Sequence, residues 1–475
     1  MLLVSETRMI KNLRNLLLTF VGFVLFLLIW SVVFRPGLQT EPRSADPEEV
    51  ALMEELRDYN PGSEDRIRIN QEVDYREGRK ASWYPKGQSP LLEDLVEEGE
   101  LPPVEERVGP EPVVMLGPEG IGKYGGTWVQ ARNSKRNVGT FGRFYSGVHL
   151  VRWSPAGEPV VPHLAKSVEV LNEGRDYIFH LRKGIRWSDG HPFTAEDILF
   201  WYEHEVLDPA ISMGIRNVLR FRGKMGVVEK IDDYTVAFRF EDPNGPFLGK
   251  MATILGSDVT AAPAHFLRPY HPTIGDPEVI EAAMREKQMP TRRALYDAVK
   301  AWDNPEHPRM WPYLYRSYKG NPPFVWVRNP YYFAVDPEGN QLPYLDRVLF
   351  LVKTQDLIPI AAANGEFTTA GATLEHFTII MNQREKGDYN VRFYSFGGGV
   401  ASAIYPNQTK RRTPADPDAA KKEALFRDKR FRQALSLAVN REALIEVEYG
   451  GLTEAAQQSR SEERRVGKEC PSPCR

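Results

Sequence analysis

With 475 residues, 42% hydrophobic and 26% charged, the chain has a globular composition and is long enough for about three domains. Its 61 Lys and Arg against 64 Asp and Glu leave a net charge of -3, which excludes the clustered positive field that nucleic-acid binding needs. The two cysteines, Cys470 and Cys474, sit at the far end, so disulfides and Cys-based metal sites are excluded from the body of the chain.

Arg8, Lys11 and Arg14 precede "LLLTFVGFVLFLLIWSVVF", Leu16 to Phe34, an uncharged run of nineteen residues. That is near the length of a membrane span and longer than the roughly 7 to 15 apolar residues of a secretory signal. Residues 1–38 therefore read as an N-terminal membrane anchor or signal, the uncleaved anchor being preferred because no small-x-small site follows. In either case the remainder is exported. No cysteine is placed to carry a lipid.

From 39 to 123 the composition shifts to Pro, Glu and Arg with few periodic apolar positions, which reads as an extended linker or stalk. One short helix is expected in "SPLLEDLVEEGELPP", capped by Ser89 and carrying Leu91, Leu92 and Leu95 on one face. The compact region opens near Tyr124, and "YGGTWVQA" reads as its first strand. Two hairpins of similar design follow. In the first, Val168 and Val170 alternate, Asn172 to Gly174 turn, and Tyr177, Phe179 and Leu181 alternate again. In the second, Asp232 and Asp233 turn, and Tyr234, Val236, Phe238 and Phe240 line one side.

Between them lies "GIRWSDGHPFTAEDILFWYE", rich in acids. Ser188 to Gly190 is a turn, Thr194 is placed as a helix N-cap with Asp197 at capping-box spacing, and Phe193 and Ile198 form a hydrophobic staple. Every acid there has a structural use. Trp187 and Trp201 are assigned to structure in the same way.

Further along, "FVWVRNPYYF" and "PYLDRVLFLVK" read as strands joined by the loop "DPEGNQLP". In "DKRFRQALSLAVNREALIEVEYGG", Asp428 caps a helix whose Phe431, Ala434, Leu435, Ala438 and Val439 recur as a buried face should. The tail "RSEERRVGKEC", from Arg460, resembles the in-frame translation of a sequencing-library adapter, so 460–475 is set apart from the fold.

The run "VPHLAKSVEVLNEGRDYIFHLRKGIRWSDGHPFTAEDILFWYE" resembles the signature region of the family 5 extracytoplasmic solute-binding proteins, partners of ABC importers for peptides and nickel. The resemblance continues, in the family's order, at "VEKIDDYTVAFRFEDPNGPFL", "VRNPYYFAVDPEGNQLPYLDRVLF", "ANGEF" and "DKRFRQALSLAVNREALI". It implies an α/β, two-lobed periplasmic-binding-protein-like fold with an extra small domain. Lobe I would comprise 124–160 and 225–366, the small domain 161–224, and lobe II 367–459, incomplete because the family's chain continues past this helix and returns to lobe I. The product as written is expected to aggregate.

The resemblance also implies a non-enzymatic protein without cofactor or metal. It would bind a peptide or another small polar solute for an ABC transporter permease, held at the inner membrane by its N-terminal helix. The polar segment "ARNSKRNVGTFGRFYSG" follows the first strand, where the family's cleft lies, and offers Asn133, Arg143 and Tyr145 as ligand contacts. Trp128, Trp153 and Trp326 are available as aromatic surface, although aromatic residues at strand spacing more often belong to the core. A membrane-anchored sensor or scaffold with the same fold is the alternative.

A P-loop hydrolase is a third reading, from "GPEGIGKY". There Tyr124 stands where a magnesium-binding Ser or Thr is needed, and Gly125 and Gly126 oppose the helix that should follow. The His residues show no metal-ligand spacing, and no Gly-x-Ser-x-Gly elbow is present.

Overall fold

The computed structural model describes residues 71–117, 120–135, 147–154, 159–212, 218–317, 321–371, 376–392, 405–409 and 418–449. The apolar segment Leu16–Phe34 and the tail from Arg460 lie outside the described residues. The chain divides into two units, one of Asn60–Gly371 with Asn382–Tyr389 and one of Met1–Tyr59, Ala372–Met381 and Asn390–Arg475. The described strands are Val113–Val114 (β1), Thr127–Arg132 (β2), Val151–Trp153 (β3), Val160–Pro162 (β4), Ala165–Leu171 (β5), Asp176–Leu181 (β6), Arg220–Phe221 (β7), Lys224–Met225 (β8), Val227–Asp232 (β9), Thr235–Arg239 (β10), Tyr313–Tyr315 (β11), Phe324–Arg328 (β12), Ala334–Val335 (β13) and Arg347–Val352 (β14).

Residues 71–117 differ from the expected stalk: they are packed into the larger unit. Their apolar residues are few, and most of them are packed, although Leu91 stays exposed. Ala81, Trp83, Val104, Val108 and Val114 form a cluster with Val335, and Tyr75 stands edge-on to Trp83 at 5.4 Å. β1 runs parallel to β13, with Val113 opposite Ala334. Fully buried Arg107 ties the segment down through neutral acceptors. Its Nε donates to the Pro102 carbonyl at 2.8 Å, and its terminal nitrogens donate to Gln341 Oε1 at 3.1 Å, to the Pro330 carbonyl and to Gln88 Oε1. Burial lowers the guanidinium to about 10.

The two hairpins join into one antiparallel sheet in the order β5-β6-β10-β9. Their apolar strands are the inner pair: Phe179 faces Val236 and Tyr177 faces Phe238 across β6 and β10. Alternation places Tyr177, Phe179, Leu181, Val236 and Phe238 on the buried face, where Phe247 of the helix Phe247–Met251 meets Tyr177 and Phe240, each at 4.8 Å. The β5 and β9 edges carry the charged and half-exposed positions, which blunts them against further pairing.

The acidic stretch starts the helix Ala195–Phe200, and its capping box is present. Thr194 N donates to Asp197 Oδ2 at 3.0 Å, and Glu196 N to Thr194 Oγ1 at 3.2 Å. Phe193 and Ile198 are buried, as a staple requires. The second oxygen of Asp197 accepts from Ala264 N at 2.9 Å, so the carboxylate also anchors the helix Ala264–Leu267. Trp187 and Trp201 are core residues.

A second sheet has the order β11-β12-β14-β2. β12 is antiparallel to β11 and β14, and β14 is parallel to β2. One face is aromatic: Tyr313, Tyr315, Phe324, Trp326, Val348 and Phe350 form a cluster against which Trp128 and Trp302 pack.

In the smaller unit, Asp428 caps the helix Lys429–Ala438 by accepting from Arg430 N at 2.9 Å, as the sequence leads one to expect. Its periodic face is a correction. Leu435 is 41% exposed and Val439 has left the helix with extended dihedrals; a new helix, Arg441–Tyr449, follows. Periodicity fixes which side chains share a face, and burial needs a covering element as well. Among the described residues of this unit, none buries that face.

Candidate ligand-binding site

Strands β2, β11 and β14 point the same way, with β12 reversed between β11 and β14. In open α/β sheets ligands are taken outside the carboxyl ends of the strands, which makes this end of the second sheet the candidate site. β2 continues there into Asn133, Ser134 and Lys135, and β14 into Lys353, Thr354 and Gln355.

These residues meet across the sheet end. Asn133 Nδ2 donates to Gln355 Oε1 at 3.1 Å. Lys135 Nζ lies 2.7 Å from Asp303 Oδ2, with side chains 45% and 28% exposed, and the Asp303 hydrogen bond raises the ammonium above its usual range. Lys353 pairs with Glu366 at 2.8 Å. Arg132 folds back over the Phe350 ring at 6.0 Å and donates to the Ala131 carbonyl at 2.8 Å.

Next to the Lys135–Asp303 pair stands an aromatic stack. Trp302 lies parallel to Trp326, centroids 5.8 Å apart and planes 6° apart. Tyr315 stands edge-on to both rings, at 5.3 Å from Trp302 and 5.0 Å from Trp326. Trp326 and Tyr315 are buried, and Trp302 is half-buried. The outer edge of β2 is partly covered: Val129 N donates to Thr368 Oγ1 at 3.0 Å, and Trp128 Nε1 to Thr369 Oγ1 at 2.7 Å. Such an arrangement leaves one partly open indole, held on a buried aromatic cluster, beside hydrogen-bonding groups, a combination that suits reversible binding of a polar solute.

Of the residues offered by the sequence, Asn133 lies at this sheet end, while Arg143 and Tyr145 lie outside the described residues. Trp153 is 41% exposed and belongs to β3. The Lys135–Asp303 pair and the placement of Trp302 on Trp326 had no sequence signal, because the partners come from distant segments with no shared motif.

The rival motifs have other surroundings. Lys123 to Gly126 lead directly into β2, with no helix between, so the phosphate cradle of a P-loop is not built there. His149, His163, His271 and His307 are buried, and His191 stacks on His265 at 3.8 Å beside Asp189. Among the described residues no group of three or more His, Cys, Asp or Glu is placed to hold a metal ion.

The family model for bacterial extracellular solute-binding proteins, family 5 Middle, matches residues 159–462. The periplasmic alpha-galactoside-binding protein of Rhizobium meliloti (strain 1021) is 28% identical over 395 residues, 78% of this chain and 53% of that protein. Among solved structures, an oligopeptide-binding protein OppA has a TM-score of 0.66 and 38% identity, covering 80% of this chain and 59% of its own. The binding protein MelB of Agrobacterium fabrum C58, solved with stachyose, has a TM-score of 0.57 at 24% identity over 83% of this chain and 60% of its own, a likeness of fold. The chain spans about half the length of the curated relatives it matches.

Proposed function

Since the chain belongs to the bacterial extracellular solute-binding proteins of family 5, we propose that it captures a small polar solute outside the cytoplasm and delivers it to the permease of an ABC importer. The observation that carries this reading is the family match over 159–462, which takes in the hairpin sheet and strands β11, β12 and β14 of the second sheet. Asn133, Arg143 and Tyr145 are proposed ligand contacts, and Leu16–Phe34 is proposed as the tether that keeps the protein at the membrane surface.

Binding of this kind works through differential affinity: the solute stabilises whichever conformation encloses it, and the populations shift by that difference. The permease then distinguishes loaded from empty protein. Two solute classes are in view, because OppA is an oligopeptide-binding protein and the Rhizobium relative an alpha-galactoside-binding protein. Titration of the full chain with short peptides and with α-galactosides, read by calorimetry, tests the proposal. Saturable one-to-one binding of either class is expected, and absence of any saturable ligand across both overturns it.

A further inference from the structure

We infer that Trp302 and the adjoining Lys135–Asp303 pair form a stacking subsite for a pyranose ring, so that the solute is a sugar or carries one. This rests on the solute-binding reading above and deepens it. Trp302 lies outside the strands, in the connection between the helix Arg292–Lys300 and β11. Its ring is oriented by contacts on the protein side, parallel to buried Trp326 and edge-on to buried Tyr315, while Trp302 itself keeps part of its surface open. A ring already immobilised in this way loses little side-chain entropy on binding.

The rim chemistry favours neutral hydroxyls over a charged peptide terminus. Lys135 and Asp303 put an ammonium and a carboxylate 2.7 Å apart, both partly open to solvent. A peptide terminus bears one full charge, and a cation and anion side by side cancel most of the field it would feel. Neighbouring sugar hydroxyls are neutral and act as donor and acceptor at once, so one can donate to the carboxylate while the next accepts from the ammonium. The amide pair of Asn133 and Gln355 at the same sheet end has this dual character too. An apolar ring face on the indole with hydroxyls on such a rim completes the match.

The experiment uses the full chain with raffinose and trialanine as probes, followed by calorimetry, in wild type and in Trp302→Ala, Trp302→Phe and Asp303→Asn. Saturable raffinose binding is expected, weakened at least about tenfold by Trp302→Ala, less by Trp302→Phe, and several-fold by Asp303→Asn. Should a thermal melt show Trp302→Ala to be unfolded, the other two variants carry the decision, since both keep the ring or the surface shape. Raffinose affinity unchanged in the folded variants overturns the subsite. Binding of trialanine without raffinose also overturns it and leaves the solute-binding reading intact, whereas binding of neither overturns both.

Discussion

Gly109 and Gly184 meet backbone to backbone: a Cβ added to Gly109 would lie 2.7 Å from the Gly184 Cα. Both have positive φ, 84° and 87°, so each is glycine for conformational as well as steric reasons. The contact joins the segment 71–117 to the loop after β6. Gly109→Ala is therefore expected to cost about 2–4 kcal/mol, strain and overlap together, read as a lower urea midpoint with unchanged slope.

Arg107 should be equally sensitive. Arg107→Met leaves the Pro102 and Pro330 carbonyls and the Gln341 and Gln88 side chains short of a donor, at a cost of about 2–4 kcal/mol. Arg107→Lys should recover little, because one ammonium does not span acceptors set around a planar fork. Limited proteolysis reads the effect directly: cleavage in 71–117 is expected to accelerate in both variants.

Asp197 separates architecture from binding. It caps its own helix and accepts from Ala264 N, so Asp197→Ala should lose about 1–3 kcal/mol with solute affinity unchanged among molecules that remain folded. A selective loss of affinity in the stable fraction would return the acidic stretch to the list of functional residues.

Acid should destabilise the protein through its enclosed imidazoles. Burial first, and then the charge of Arg152, lower His149 from 6.5 to about 4. His163 and His307 are held well below 6.5, again chiefly by burial, with Arg152, His149 and Arg182 opposing a charge on His163, and Arg309, Lys300 and His265 opposing one on His307. Unfolded, each takes up a proton near 6.5; folded, His149 does so only near 4. Between those values the unfolded state binds more protons, so stability is full above 6.5 and declines as pH falls toward 4, by at most about 1.4 kcal/mol per pH unit per group. Calorimetric melts at about pH 7 and about pH 5 check this: the lower pH should give the lower Tm, and His149→Gln should narrow the gap.

What could be read in advance follows the range of the interactions. The hairpins and the capping box were legible because their determinants lie within a few residues: alternation at Tyr177, Phe179 and Leu181, and the spacing of Thr194 and Asp197. The packing of 71–117 was not, since Trp83 has no periodic partner and the helical pair Val104 and Val108 spans a single turn, and they find Val335 only through the tertiary fold. At the candidate site Asn133, offered because the resemblance puts a cleft after the first strand, lies at the end of β2, while Lys135 and Trp302 gain meaning only from Asp303 and Trp326, which local patterns do not pair with them. The helix after Asp428 shows the converse, a clear period whose face the described residues leave exposed.

The parallel register of β2 on β14, with Thr127 beside Arg347, has a consequence for how the chain reaches this fold. The first strand of the second sheet leaves the ribosome long before the strand that completes its ladder, and the hairpin sheet has to emerge in between. Closing so long a loop raises contact order and slows folding. Meanwhile β2 remains an open template for mispairing. For an exported protein that delay has a benefit: a chain late to lock is still threadable when it meets the membrane.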